Sequence, residues 1–100
     1  MNQHPKHLWV PCSIEISGFS SERRFEVDLR DRGKAVGVAY IEYLKHANGA
    51  VLTEDEPPYG ETIAGLVQCR ILGIEGDEYL VEFPSSDVFH VPPEALRAEA

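Results

Sequence analysis

Three observations on this 100-residue chain predict a mainly β fold, a small barrel-type antiparallel sheet. Short segments alternate apolar and polar residues, the period of two that a half-buried strand requires. Clusters of Gly, Pro, Ser and Asp separate those segments and break regular structure between them. Helical spacing competes with alternation over only one stretch, residues 34–47. A chain of this length buries roughly two-thirds of its unfolded surface, enough for one modest core. One domain over residues 1–100 is expected, readable also as two β-rich halves, 8–48 and 60–97, joined by an acidic, proline-rich loop.

The elements follow in chain order. Residues 2–6 are expected to be a loose arm. Residues 8–16 form the first strand, with Val10, Cys12, Ile14 and Ile16 on one face and Pro11, Ser13 and Glu15 on the other. Residues 17–22 have turn composition. Phe25 to Leu29 alternates strictly and makes a second strand, ended by a turn at residues 30–33, where Gly33 supplies positive φ. Residues 34–47 are ambiguous. Val36, Val38, Tyr40, Ile41 and Tyr43 favour a strand by type, while Val36, Tyr40, Tyr43 and Ala47 share a helical face that Asp31 could cap and Asn48-Gly49 could stop. The reading adopted is extended chain through about Val38, then one short helix around residues 39–47, with an α+β fold as the alternative. Residues 53–60, TEDEPPYG, are the clearest loop. Strands follow at 65–72, 79–83 and 88–91, with turns at 75–78 and 84–87. Pro93-Glu94-Ala95-Leu96 can open a helical turn, and the tail from Arg97 should fray.

Val10-x-Cys12-x-Ile14 recurs as Val67-x-Cys69-x-Ile71, and an aromatic-led alternating strand follows each copy. Three matched residues allow either an internal duplication or two similar hairpins.

Charge excludes one class of partner. Lys and Arg number 9 against 17 Asp and Glu, a net charge of −8, which phosphate backbones repel, so nucleic acid is not expected. Residues 1–50 carry net +1 and residues 51–100 net −9. Arg23, Arg24, Arg30, Arg32 and Lys34 crowd one segment. They read either as a solvated hairpin with Glu22, Glu26, Asp28 and Asp31 interleaved, or as a basic patch facing an acidic surface on a neighbouring subunit. No apolar run approaches the ~18 residues of a membrane span, and the N-terminus has no apolar signal region, so a cytoplasmic protein without membrane contact is expected.

Catalytic and metal motifs are lacking. Cys12 and Cys69 stand apart without a CxxC pair and read as reduced, buried thiols. His4 and His7 have metal-compatible spacing but sit on the arm, and zinc needs three or four ligands. The acidic run Glu54-Asp55-Glu56 lacks the spaced oxygens and the bend glycine of a calcium loop. There is no G-x-S-x-G, no P-loop and no dinucleotide fingerprint. No catalytic residue, metal or cofactor is assigned. Trp9, Phe25, Tyr79 and Phe83 are core candidates. Trp9, Tyr40, Tyr43 and Tyr59, with Arg30 and Arg32, are the candidate binding residues, because exposed aromatics anchor interfaces.

In the last third of the chain Gly65 precedes a strand, Tyr79-x-Val81-x-Phe83 forms the next, and Phe89-His90-Val91-Pro92 runs into Leu96. This order resembles the Src-homology-3-like small barrels, in the broad sense that includes Tudor and KOW modules. It departs from them in lacking an aromatic cage, a proline-peptide groove and the KOW glycine pattern, so the resemblance implies a barrel and no ligand. The expected function is a small non-catalytic interaction module that self-associates, to a dimer or larger, with a further protein partner open. The alternative is a small-molecule-binding or regulatory domain with an aromatic-lined pocket.

Overall fold

The computed structural model describes residues 6–30 and 33–93. Seven strands form one antiparallel sheet: β1 (Lys6–Ile16), β2 (Glu22–Asp28), β3 (Lys34–Tyr40), β4 (Leu44–His46), β5 (Ile63–Glu75), β6 (Glu78–Glu82) and β7 (Val88–Val91). Their order is β3-β2-β1-β5-β6-β7, with β4 paired to β5 off that path. The sheet curls into a nearly closed barrel.

The alternation read from the sequence carries the core. Val10 and Ile14 of β1, Phe25 and Val27 of β2, Val67 and Cys69 of β5, Val81 of β6 and Val91 of β7 all point inward and are buried. The Phe83 ring lies 5.9 Å from Phe25 and 5.6 Å from Phe89 and ties the two ends of the sheet together. At Gly37 a Cβ would stand 2.7 Å from Ser85 Oγ and 3.0 Å from the Phe25 ring. The β6–β7 turn therefore seats against β3 where β3 carries no side chain.

Two expectations are corrected. Residues 39–47 hold no α-helix: β3 runs to Tyr40, a single 3-10 turn spans Ile41–Tyr43, and β4 resumes extended chain at Leu44. Seven cross-strand pairs from Glu22↔Tyr40 to Asp28↔Lys34 hold this segment extended, so tertiary pairing overrides the helical spacing, and the fold is mainly β rather than α+β. Trp9 is not a core residue. It sits in the outward phase of β1, half-buried, with the Lys45 ammonium 4.1 Å above its ring. Gly33 has φ 92°, as its turn requires. The first strand begins at Lys6, within the expected arm; the rest of the arm, the helical turn beyond Pro93 and the tail lie outside the described residues.

The two Val-x-Cys-x-Ile copies are neighbouring strands, with Val10 directly opposite Val67. On either side a meander runs outward, β1-β2-β3 one way and β5-β6-β7 the other. The strand order is thus approximately two-fold about that valine pair, with β4 the element that has no counterpart.

Candidate functional site

The site begins with the length of β5. One edge of this strand pairs with β1 over Ile63–Ile71. The other edge is shared: Leu44 of β4 pairs with Val67, and Glu82 of β6 pairs with Arg70. Between those registers Gln68 and Cys69 face neither strand. The sheet forks there, and the fork opens a cavity of about 410 Å³.

Its lining comes from four places. The β3 end and the 3-10 turn supply Val38, Tyr40 and Tyr43; β5 supplies Gln68, Cys69 and Arg70; the β6 end supplies Glu82 and Phe83; β1 and β2 add His7 and Glu22. Arg70 donates to Glu82 at 2.6 Å, a pair that neutralises both charges on one wall. Glu22 stands directly opposite Tyr40 in the β2–β3 register, and among the described residues its carboxylate makes no ion pair. Burial raises the Cys69 thiol well above the ordinary range, with a smaller contribution from Cys12. Cys12, half-buried on the same inward face, is pushed up to about 12 by burial. Both thiols are free and protonated at neutral pH, so neither is an activated nucleophile. A second cavity, about 460 Å³, is lined by Pro11, Cys12, Glu26, Lys34 and Ile63 among others and has no aromatic wall.

The fork brings together Tyr40 and Tyr43 of the sequence candidates. The others lie elsewhere. Trp9 stacks under Lys45, Tyr59 is almost fully exposed in the acidic loop, and Arg30 is exposed at the β2–β3 turn with φ 63°. Arg32 lies outside the described residues. Two members of the basic cluster are neutralised on their own sheet. Arg24 pairs with Glu15 and Glu26, and Lys34 bonds Glu26 at 2.9 Å, which lowers the Glu26 carboxyl and raises the Lys34 ammonium.

Arg23 departs most from the sequence reading. It is 1 % exposed, and its guanidinium donates to the carbonyl oxygens of Ser20, Glu22, Glu54 and Glu56. It clamps the acidic loop to the β1–β2 turn. A second tie holds the same loop: His46 Nε2 lies 2.7 Å from Glu56 Oε1, which also accepts from the Thr53 amide and hydroxyl at 3.1 Å each. Arg70, Glu82 and Gln68 were missed because only the fork unites them. Arg23 did leave a signal, since it shares the alternation phase of Phe25 and Val27 and belongs to the inward set.

Against known proteins, the chain matches no family model, no curated protein and no solved structure. Among the described residues no helix is long and apolar enough to cross a membrane, and no group of three or more His, Cys, Asp or Glu is placed to hold a metal ion.

Proposed function

We propose that the protein is a small non-catalytic interaction module whose docking surface is the outer face of β3 together with the fork cavity. One observation carries this reading. Val36, Val38 and Tyr40 project from the outer side of β3, the last strand of the sheet, each 41 to 53 % exposed, and the strip runs into the cavity at Val38 and Tyr40. An end strand with an apolar outer row is a ready site for another polypeptide. The nearly closed antiparallel barrel supports a Src-homology-3-like assignment for the domain, and two free thiols favour a reducing, cytoplasmic setting.

Self-association is one form of this module, and the apolar strip supports it better than the charge layout does. A light-scattering mass above 11.2 kDa at up to about millimolar protein, lowered by Val38→Asp, is expected if a second copy docks on the strip. A second reading, small-molecule binding, draws on the cavity volume, which falls within the roughly 300–1,000 Å³ of ligand pockets. A thermal-shift screen separates the two, because a ligand bound only by the native state raises the melting temperature. A strictly monomeric mass together with no docking peptide and no stabilising ligand would remove the module reading.

A further inference from the structure

We propose that the fork cavity receives a lysine or arginine side chain from an extended segment of a different protein lying along β3. The inference rests on the docking reading and names the chemistry of the occupant. Two tyrosines line the cavity, and an aromatic face attracts a cation through its ring quadrupole. Glu22 stands opposite Tyr40 with no ion-pair partner among the described residues, while Glu82 is already neutralised by Arg70. The charge that the cavity leaves unmatched is negative. The chain as a whole is at −8, so its field draws a basic segment in and repels an acidic one.

The same facts argue against a second copy as the source of the cation. Among the described residues, Arg23 is buried, Arg24 and Lys34 are bound to carboxylates on their own sheet, Arg70 is bound to Glu82, Lys45 lies on Trp9, and Arg30 at the β2–β3 turn has a contact of its own. They argue equally against a free amine. A small cation would fill the fork and leave Val36 bare, whereas an extended segment covers it with a further side chain while its basic residue enters the cavity.

The test uses the full chain and four probes: an extended hexapeptide alternating valine and threonine with one central lysine, the same peptide with norleucine or with glutamate in that place, and N-acetyl-lysine amide. Binding is followed by the ring resonances of Tyr40 and Tyr43. The lysine peptide should bind about fivefold to tenfold tighter than the norleucine peptide. Glu22→Gln, which keeps the backbone carbonyl that Arg23 uses, should reduce that preference to about twofold or less at an unchanged melting temperature. Tyr43→Leu should weaken the lysine peptide more than the norleucine one. Equal or tighter binding of the norleucine or glutamate peptide overturns the cationic occupant and leaves the docking surface standing. N-acetyl-lysine amide binding as tightly as the hexapeptide overturns the polypeptide source. A dimer that Val38→Asp breaks shows a second copy on the strip and overturns the proposal, and no response to any probe removes the docking surface with it.

Discussion

Arg23 gives its guanidinium to four carbonyl oxygens and, among the described residues, to no carboxylate. Charge-assisted bonds to backbone fix the path of the chain rather than a pair of side chains, so Arg23 determines where residues 54–56 run. Arg23→Met keeps the apolar stem and strands the carbonyls, and should cost about 3 kcal/mol in a denaturant melt, with faster proteolysis between residues 53 and 60. Lysine, a point charge with three donors, should recover only part of that. The thiols make a second prediction. Cys12 ionises near 9.0 when unfolded and near 12 when folded, so its contribution is intact below pH 9 and is lost as pH rises toward 12. Over that window stability should fall by up to ~1.4 kcal/mol per pH unit per thiol, and Cys12→Ala should flatten the decline. The burial of Cys69 was legible in the alternation. The burial of Arg23 was legible only in its phase, because residue type points the other way.

At the scale of elements, β5 is squeezed between β1 and β4. A Cβ on Gly65 would stand 2.2 Å from Ile14 Cδ1 and 2.6 Å from the Lys45 carbonyl oxygen. Gly65→Ala must shift the Ile14 side chain and the Lys45 backbone and should cost about 1–3 kcal/mol, while Gly18→Ala, with nothing within 4 Å, should be close to neutral in the same melt. The loop tie has its own pH signature. The His46 hydrogen bond first, then the Thr53 amide, hold the Glu56 carboxyl below its ordinary 4.5. The tie is therefore intact above about pH 4.5 and lost as pH falls through the lowered value. A carbon-detected titration should place the Glu56 midpoint below 4.5, and His46→Gln should move it upward. The ambiguity of residues 34–47 also has its cause here. β3 turns Ala35, Gly37 and Ala39 inward and Val36, Val38 and Tyr40 outward, the reverse of the usual bulk. The space inside is taken by Phe25 and Ser85, and only those distant neighbours make a strand of small inward residues sensible.

For the molecule as a whole, the sheet class and five of the seven described strands could be read from alternation and punctuation, with β3 left ambiguous and β4 unseen. A barrel was expected from the same patterning; how it closes and where it forks were not legible. Both depend on registers between residues far apart in the chain, β4 with β5 and β5 with β6, which alternation does not encode. The candidate site was legible to the same extent: Tyr40 and Tyr43 stood out as surplus aromatics, while Glu22, Gln68, Arg70 and Glu82 acquire meaning only where those registers meet.

The approximate two-fold layout bears on how copies of the chain can exchange parts. Each meander presents its first strand to the other, β1 to β5, and the segment joining the halves is the loop that Arg23 and His46 hold down. Release that loop, and the β1 edge of one molecule can accept the β5 meander of another with the same cross-strand partners it has at home, Val10 on Val67 included. Such a domain-swapped dimer forms no new core contacts and needs only an opened hinge. Refolding Arg23→Met at millimolar concentration should therefore yield a species of twice 11.2 kDa that dissociates slowly on dilution, at a concentration where any association of the parent chain reverses at once. A variant that refolds only to monomer would show that the clamp sets stability alone and does not guard the hinge.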